Sequence, residues 1–547
     1  MNSVNRKLWK YNGGLHLEDH KTCSNQMESR ELPMPKRLTI PMQQHIGEAA
    51  HPIVKVGDKV LKGEMIAESS ARVSAPIHAP TSGTIVEIAP MPMPHPAALD
   101  AVTIILESDG LDQWCELHPI ENYRHVSSDE LRDRIRDAGI VGLGGAGFPS
   151  YIKLDPGQHF AIETLILNGA ECEPYITCDD RLMRERPEAI LDGARIMRHA
   201  LHAKRCIIAI EDNKPEAFAA LERAQSQSGQ ADIELVLVPT LYPTGGERQL
   251  IKVLTGKEVP SQGRTLDIGI ISHNVTTAAT IADAVIDGIP LINRMITVTG
   301  ESITTPQNIR APIGAPIEAL LDFAGRENGV ETQLVMGGPM MGISLNSASL
   351  PVIKTSNCFM LQPKQPTVPE SPCIRCGECA VVCPAELLPQ QLYWHSRARE
   401  FEKVQDYNLF DCIECGCCSY VCPSNIPLVH YYRFAKTEVW AQEREKEAAN
   451  IARMRHEHRQ ARQEKAELEK QERMRKKKAA LKDKEKGGTD DAAKKAAIKA
   501  AMDRAKAKRE ANQNPEAAAP TDVPSQEAAA TETQPATIPE STSKSES

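Results

Sequence analysis

Two kinds of hydrophobic pattern follow each other along the first 440 residues of this chain. Between residues 53 and 86, short runs of apolar and β-branched residues are separated by Gly-Asp and Ser-Gly turns, which is typical of a small all-β domain. From about 127 to 290, apolar runs of strand length alternate with stretches of helical length. The pattern therefore predicts an N-terminal β-sandwich followed by an α/β domain.

The α/β region opens with a helix whose two ends are both marked. Ser127 followed by Glu130 forms a capping-box sequence, and Gly139 ends the helix. The strands that follow are predicted at 163–167, 205–210, 233–238 and 266–271, and the helices at 187–201, 214–225 and 247–254. Such an alternation predicts a parallel sheet covered on both faces, and sheets of this class bind ligands at the carboxyl ends of their strands.

The composition changes after Trp440, the last aromatic residue. The final 107 residues carry 24 basic and 20 acidic side chains, so the preceding body has a net charge of -13 within a total of -9. Residues 441–510 are rich in helix formers, but their apolar side chains are too sparse for a coiled-coil seam. We expect a solvated helix that becomes disordered, acting as a solubilising tail or as a contact for anionic lipid or an acidic partner.

Membrane insertion and export are both disfavoured by the sequence. Apolar runs such as 101–106 fall far short of the roughly 18 residues that a membrane-spanning helix needs. Charges throughout the first 30 residues argue against a secretory signal. Because a reducing compartment disfavours structural disulfides, the 15 cysteines indicate metal or redox chemistry.

Eight of the cysteines form two copies of one motif. The pattern C-x2-C-x2-C-x3-C-P occurs at 373–384 and again at 412–423. In two-cluster ferredoxins, the first three cysteines of each run bind one [4Fe-4S] cluster and the fourth binds the other cluster. The spacing therefore assigns one cluster to Cys373, Cys376, Cys379 and Cys422, and the second to Cys412, Cys415, Cys418 and Cys383.

Zinc is the alternative occupant of such a cysteine-rich region. Zinc sites use paired C-x2-C knuckles, whereas here a third cysteine and then C-P follow each pair, which favours the clusters. Cys417 lies between two predicted ligands and is expected to be a spare small residue. Gly377 and Gly416 leave room for the backbone to approach inorganic sulfide. Clusters held in this way carry single electrons.

A glycine-rich segment at 142–149 is followed by Lys153. By itself the segment fits a plain tight turn equally well. Three further polar segments, at 168–174, 242–247 and 272–277, come after predicted strands, where a sheet of this class places its ligand. Glycines let the backbone lie against a ligand, and Lys153 can balance a phosphate or an anionic ring. Together the four segments predict a flavin site.

Several segments carry resemblances to known families. The flavin segments, at 142–154, 168–174, 242–247 and 274–277, resemble the flavin-binding, NADH-oxidising subunit of respiratory complex I. The stretch at 53–86 resembles a lipoyl-like barrel-sandwich, but residues 79–83 lack the lysine that carries a cofactor, which favours a structural or docking module. Residues 295–345 resemble the β-grasp module found beside such flavin domains.

Taken together, these segments, the Gly-Gly-Leu-His sequence at 13–16, the two cysteine runs and the basic tail are similar to the RnfC family, the C subunits of Rnf/Rsx ion-translocating electron-transport complexes. The resemblance implies FMN contacts at Gly144, Gly145, Gly147, Lys153, Asn168, Tyr242, Gly245, Gly246, Asn274 and Thr276. It places Phe148 and Glu173 toward the nicotinamide nucleotide and Glu171 near the flavin edge, with Glu171, Glu173 and Lys153 in catalytic roles. The sequence departs from the complex I pattern at Gly169, where that pattern has an acidic residue, and at Thr277.

The predicted fold class is multidomain, with α/β and α+β parts. The five parts are a barrel-sandwich at 1–125, a Rossmann-like FMN and NADH domain at 126–290, a β-grasp module at 291–350, a two-cluster ferredoxin domain at 365–440 and a charged tail at 441–547. The module is expected to hold the flavin and cluster domains in register.

The resemblance implies NADH oxidation at FMN and electron relay through two [4Fe-4S] clusters, in a subunit peripheral to the cytoplasmic side of a bacterial inner membrane. The partners implied are integral membrane subunits that move the ion and a ferredoxin-like electron-transfer subunit, with no nucleic acid. Two alternatives stay open. One is a flavin-free iron-sulfur relay, for which Gly169 is the argument, and the other is a flavin dehydrogenase subunit of a soluble hydrogenase or formate enzyme.

Overall fold

A computed structural model describes residues 6–486 and 491–511, apart from 98, 158, 159, 328, 330 and 367. The chain divides into two compact units, one ending at Glu445 and the other beginning at Lys446. Across the described ranges, no helix combines the length and the apolar character needed to cross a membrane.

The N-terminal domain is a sandwich of two antiparallel sheets, as predicted. Its four-stranded sheet has the order Arg37–Pro41, Asp100–Ser108, Gly83–Pro92 and Lys59–Val60, and its three-stranded sheet the order His51–Pro52, Met65–Glu68 and Ile77–His78. Alternate side chains of the strands, such as Leu38 and Ile40, are completely buried between the sheets. This period of two is what produced the short alternating pattern in the sequence.

The predicted parallel sheet is present in the α/β domain. Its strands lie in the order Glu234–Val238, Arg205–Glu211, Thr164–Gly169 and Ile270–Asn274. The helices of this domain are Ser128–Asp137, Ser150–Lys153, Cys178–Glu185, Pro187–Leu201, Pro215–Gln227, Glu247–Thr255 and Val275–Ala282. The side chain of Ser127 caps the first of them by accepting the N–H of Glu130.

Both faces of this sheet are covered because successive strand residues point to opposite sides. Ile208 and Ile210 belong to the core that the helices Pro187–Leu201 and Pro215–Gln227 complete, whereas Ile207 belongs to the core on the other face. The prediction of a strand at 266–271 was wrong over its first half. Thr265–Ile268 is a 3-10 turn, and the strand begins only after Gly269, which has a left-handed φ of 70°.

The β-grasp module is built on a six-stranded sheet. The strand order is Arg30–Glu31, Gln307–Pro312, Asn293–Thr299, Cys358–Pro363, Thr332–Met336 and Ile343–Leu345. The helix Ile317–Phe323 contributes Leu320 and Leu321 to its core. Two of the strands, Arg30–Glu31 and Cys358–Pro363, lie outside the predicted range of 291–350.

The cysteine-rich region folds around short helices. They are Glu378–Val381, Pro389–Arg397, Phe401–Asp406 and Cys417–Tyr420, followed by the first turns of the long helix Leu428–Lys486. Short 3-10 turns at Lys21–Cys23, Tyr123–His125 and Leu409–Asp411 and a π-helical turn at Asp283–Asp287 complete the first unit.

The second unit is helical, as predicted for the start of the tail. The helix Leu428–Lys486 continues into it, and a further helix spans Asp491–Ala511. Its described side chains are exposed, including Met454 and Leu468. The disorder predicted further along the tail concerns residues 512–547, which lie outside the described residues.

Candidate functional site

The four predicted flavin segments meet at the carboxyl edge of the parallel sheet. Asn168 and Asn274 end neighbouring strands and are paired in register. Asn168 Nδ2 donates to the carbonyl of Gly245 at 2.8 Å, which attaches the third segment. A Cβ placed on Gly144 would lie 3.1 Å from Asn274 Cβ, so the glycine-rich loop closes against the same corner. The structure thus gathers these residues at one site.

The glycine-rich loop presents its backbone to solvent. Gly144, Gly145 and Ala146 are exposed, and their N–H groups have no hydrogen-bond partner within the described part of the chain. Gly145 has a φ of 114°, and a Cβ on it would find open space. The preceding residue is fixed, because the N–H of Leu143 donates to Thr277 Oγ1 at 3.0 Å. Three successive free donors suit an anionic or electron-rich ligand.

Lys153 lies beside this corner. Its ammonium donates to Glu247 Oε1 at 2.7 Å and to the carbonyl of Ser272 at 2.9 Å, and about a third of the side chain is exposed. The lysine therefore reaches the strand end next to Asn274. Glu247 had no predicted role, although it ends the segment 242–247, so the signal for it was present in the sequence.

Asp179 is a buried carboxylate that sequence reasoning missed. It accepts hydrogen bonds from Asn274 Nδ2 at 2.6 Å and from Thr276 Oγ1 at 2.5 Å. Burial raises the pKa of Asp179, and these two hydrogen bonds oppose that rise. Asn274 Oδ1 in turn accepts the N–H of Thr276 at 2.8 Å. Asp179 thus holds two predicted flavin contacts in fixed orientations, from a helix start that no sequence pattern marked as part of the site.

The two carboxylates with predicted catalytic roles are bound to backbone groups. Glu171 accepts the N–H groups of Asp179 and Asp180, at 2.7 and 3.2 Å, at the start of the helix Cys178–Glu185. Glu173 Oε1 accepts the N–H groups of Met340 and Met341, at 2.7 and 3.0 Å. Burial raises the pKa of both carboxyls. Neither is hydrogen-bonded to Lys153 or to the glycine-rich loop among the described residues.

A buried lysine supports the loop that carries these two carboxylates. Lys21 Nζ donates to the carbonyls of Glu171, Glu173 and Ile176, at 2.8, 2.9 and 2.6 Å. Nothing in the sequence around Lys21 indicated this role, because its partners lie about 150 residues further along the chain.

Four other predicted flavin contacts have their main interactions elsewhere. A Cβ on Gly147 would lie 2.6 Å from Thr355 Cγ2, and its carbonyl accepts the N–H of Ile46 at 3.2 Å, so this glycine faces the sandwich. Phe148 is half-buried, and its carbonyl accepts the N–H of Gly142 at 2.8 Å. The remaining two are glycines of the third segment. Gly245 donates to Cys172 Sγ at 3.3 Å, and a Cβ on Gly246 would lie 2.5 Å from Gln249 Oε1.

Tyr242 connects the α/β domain to the cysteine region. It is almost fully buried, and its hydroxyl donates to the carbonyl of Cys415 at 2.6 Å. Burial raises its pKa, so the phenol stays protonated and acts as a donor. The residue was predicted as a flavin contact. In the structure its polar atom is committed to the second cysteine run.

The eight cysteines of the two motifs line two separate cavities. The outer cavity is lined by Cys373, Cys376, Cys379 and Cys422. The inner cavity is lined by Cys383, Cys412, Cys415 and Cys418, together with Cys417. Each cavity therefore receives three cysteines from one run and one from the other, which is the grouping that the motif spacing predicted. Cys376 of the outer cavity is exposed, whereas Cys415, Cys417 and Cys418 of the inner cavity are buried.

Family models match four segments of the chain. The matches are to the RnfC Barrel sandwich hybrid domain at 9–111, the Nuo51 FMN-binding domain at 135–283, the SLBB domain at 295–344 and the 4Fe-4S dicluster domain at 372–426. They confirm the predicted fold class, from the sandwich to the ferredoxin-type region.

Solved structures give a weaker comparison. A crystal structure of an NAD+-reducing [NiFe]-hydrogenase in the H2-reduced state is 21% identical and has a TM-score of 0.41. The alignment covers 59% of this chain and 63% of that one, a likeness too weak to bear on function.

Curated relatives share one name, which makes each of them the C subunit of an ion-translocating oxidoreductase complex. The protein from Serratia proteamaculans is 49% identical over 479 residues, which cover 87% of this chain and 67% of the relative. The protein from Yersinia pestis bv. Antiqua is 48% identical over 480 residues, covering 87% of this chain and 76% of the relative. For the protein from Erwinia tasmaniensis, at 49% identity, the chain spans only 57% of its length. The chain belongs to the RnfC family, the C subunits of ion-translocating oxidoreductase complexes.

Proposed function

We propose that this chain takes electrons from NADH at an FMN and passes them singly through two [4Fe-4S] clusters to other subunits of an ion-translocating complex. The observation that carries the proposal is the hydrogen bond from Tyr242 to the carbonyl of Cys415, because it joins the segment bordering the glycine-rich corner to a loop lining the inner cavity. A flavin site and a cysteine site built against each other suit electron transfer between them.

The residues at the strand ends fit an FMN. Gly144 and Gly145 leave open space and free N–H donors, and Lys153 supplies a cation at the same corner. When bound, FMN supplies the conversion between two-electron and one-electron transfer. The chain orients it: Asp179 fixes Asn274 and Thr276, and Asn168 fixes the loop at Gly245. Direct roles for Glu171 and Glu173 toward the nucleotide remain predictions.

The two cavities fit iron-sulfur clusters by their donor sets. Each is lined by four cysteines from the repeated motif, and thiolates are the ligands that such clusters use. Gly377 and Gly416, with φ of 85° and 81°, stand before the two short helices of the motifs. [4Fe-4S] clusters supply one-electron transfer over a wide range of potentials. In each cavity we propose that the fourth ligand comes from the opposite run.

The order of transfer follows from what surrounds each cavity. Around the inner cavity, Arg248 forms an ion pair with Asp411 at 3.1 Å, next to Cys412, and Gln249 Nε2 donates to the carbonyl of Pro384 at 3.5 Å, next to Cys383. These contacts come from the helix that follows the Tyr242 segment. The outer cavity has an exposed cysteine. The inner site would therefore receive electrons first, and the outer site would release them at the surface.

The name shared by the relatives supports the proposed setting. It describes those proteins as subunits of an ion-translocating oxidoreductase complex. We propose that this chain is likewise peripheral to the cytoplasmic side of a bacterial inner membrane. Its proposed partners are integral membrane subunits that move the ion and a ferredoxin-like subunit that accepts electrons.

Cofactor analysis of the purified full chain tests the proposal. We expect about eight iron atoms and matching sulfide, as two [4Fe-4S] clusters require, together with extractable FMN that NADH bleaches. A matched pair of variants checks the ligand assignment. Cys418→Ala should lose the inner cluster, whereas Cys417→Ala, one residue away in the same short helix, should keep both.

Two results would favour the alternatives. Iron and sulfide without FMN, and without NADH-dependent dye reduction, would support a flavin-free relay. Co-purification with a soluble hydrogenase or formate enzyme rather than with hydrophobic subunits would support a soluble dehydrogenase.

A further inference from the structure

The Gly-Gly-Leu-His sequence at 13–16 lies between the Tyr242 segment and the inner cavity. The N–H of Gly14 donates to the carbonyl of Val382 at 3.0 Å, one residue before Cys383. Leu15 and Tyr242 exchange two backbone hydrogen bonds, of 2.8 and 2.9 Å, as an isolated antiparallel bridge. Residues 13–15, here named the strap, therefore contact the flavin side with one residue and the cysteine side with the next.

The strap fits without spare room. Gly13 has a φ of 70°, and a Cβ on it would lie 2.6 Å from the carbonyl oxygen of Val382. Gly14 has a φ of 87°, and a Cβ on it would lie 2.9 Å from the carbonyl oxygen of Tyr242. Both the left-handed backbone and the close approach require glycine. The two loops that face the strap are thus held as near to each other as one intervening backbone allows.

The strap is anchored on the α/β domain before and after this point. Before it, Trp9 donates its N–H to the carbonyl of Val253 at 2.9 Å, and the Tyr11 hydroxyl lies 3.1 Å from Thr244 Oγ1. After it, the carbonyl of Asp19 accepts the N–H of Tyr175 at 2.8 Å. The strap is therefore a fixed part of the flavin side.

Apolar contacts seal the same junction. Leu15 and Leu17 pack against a small buried cluster made of Tyr242, Val382, Cys415 and Cys417. Two of its members, Cys415 and Cys417, line the inner cavity. Burial of these side chains favours the closed arrangement, and the glycines determine how close the backbones come.

We propose that the strap sets the spacing between the flavin site and the inner cavity, with Gly13 and Gly14 as positioning residues for electron transfer between them. The proposal rests on the proposed function. In each transfer one electron leaves the reduced flavin and reduces the inner cluster by one equivalent, and no bond to the protein forms or breaks. Because the transfer rate falls steeply with distance, a methyl group that displaces the Val382–Cys383 loop slows this step.

The test uses Gly13→Ala in the full chain carrying its cofactors. The matched control is Gly110→Ala, where φ is also left-handed at 75° but no atom lies within 4 Å of the added Cβ. Stopped-flow mixing with NADH separates flavin bleaching from cluster reduction. We expect bleaching at the wild-type rate in both variants, with cluster reduction slowed by roughly tenfold to a hundredfold in Gly13→Ala alone, the scale of an ångström-sized misplacement.

A second readout needs no cofactor. Amide hydrogen exchange of the apo chain should be faster at residues 240–246 and 380–385 in Gly13→Ala and unchanged in Gly110→Ala, because the loops lose their common support. If Gly13→Ala does not load clusters, Tyr242→Phe replaces it. That variant removes the hydroxyl that donates to Cys415 and should separate the two rates in the same way.

The outcomes distinguish the two proposals. Unchanged cluster reduction in Gly13→Ala and in Tyr242→Phe, with unchanged exchange, would overturn the strap proposal and leave the proposed function standing. A wild-type chain whose flavin is not bleached by NADH would overturn the proposed function, and the strap proposal with it.

Discussion

Lys354 is a buried cation held by two backbone carbonyls. Its ammonium donates to Pro76 in the sandwich at 2.6 Å and to Gly139 in the α/β domain at 2.7 Å. Burial lowers its pKa from the ordinary value of a lysine to about 7. His45 and His78, the other titratable groups near it, have pKa values lowered by burial and then by Lys354. One residue thus joins two domains and carries a proton only at some cost.

We expect the unfolding midpoint of the chain to rise with pH between about 7 and 9. In that range the unfolded lysine is protonated and the folded one is largely neutral, so stability rises by up to about 1.4 kcal/mol per pH unit. Lys354→Met should flatten this rise, whereas Lys364→Met, at an exposed lysine, should preserve it. Urea unfolding at several pH values measures the effect. Equal slopes in both variants would contradict the assignment.

Lys153 provides a second test at this scale. Lys153→Met should weaken FMN binding by about 1.5 to 3 kcal/mol, because it removes a charged donor and leaves Glu247 unpaired beside the ligand. Fluorescence titration with FMN measures the affinity. Adding Glu247→Gln should recover part of the loss. Lys252→Met, on the helix that begins with Glu247, serves as the control and should bind FMN normally.

Individual site residues were predictable where a local pattern marked them. Asn168 and Asn274 follow apolar strands, and parallel strands end at the same edge, so their proximity could be expected from the sequence. Asp179 and Lys21 could not be found in this way. Their roles arise from partners far away in the chain, and an isolated aspartate or lysine reads as a solvated surface residue.

Among the elements, the helix Pro187–Leu201 crosses Val275–Ala282 at a glycine. A Cβ on Gly193 would overlap the carbonyl of Ala278, so the two helices touch there through their backbones. Glycine inside a helix is normally a weakness that alanine repairs by about 1 kcal/mol. Here the close crossing reverses the sign of that effect.

Gly193→Ala should therefore destabilise the first unit by about 1 to 3 kcal/mol, the usual cost of overpacking a core. Thermal unfolding followed by circular dichroism would show a lower midpoint. Glu188→Ala, an exposed change at the start of the same helix, should leave it nearly unchanged. A higher midpoint for Gly193→Ala would show that the helices have room to separate.

Element boundaries were predicted well where periodicity and stop signals agreed. The helix Pro187–Leu201 was predicted with its observed ends, since Pro187 begins it and its apolar stripe ends with the last turn. The strand at 270–274 was not, because Leu266 and Ile268 continue the apolar run through a 3-10 turn. Apolar content cannot locate such a break, although Gly269 could have.

At the scale of the molecule, the two units have different determinants of stability. The first unit has buried cores, whereas the described side chains of the second are exposed. A chain ending at Glu445 should therefore keep the unfolding midpoint, iron content and FMN content of the full chain. A loss of cofactor on truncation would contradict this expectation.

The same truncation tests the tail as a membrane contact. Residues 441–510 contain 23 basic and 14 acidic side chains, so attraction to anionic lipid should weaken as salt rises. Full membrane retention of the truncated chain would rule the tail out as the sole anchor and would favour the sandwich.

Domain order was predictable from the sequence, but the use of distant segments was not. The strand Arg30–Glu31 pairs with Gln307–Pro312 in the β-grasp sheet, although the predicted module began at 291. Two residues at an edge carry no recognisable period. Only the completed sheet, with a free edge to be covered, gives them a place.

The N-terminal segment has a consequence for biosynthesis. Residues 13–31 are translated several hundred residues before Val382 and long before Ile309, yet they pair with both. Contacts of such long range form late and slow the final step of folding. During synthesis these residues must wait unpaired while the later domains emerge from the ribosome. Cluster insertion and closure of the N-terminal segment thus compete in time, and assembly factors that deliver iron and sulfide would act on a chain whose Val382–Cys383 loop is still open.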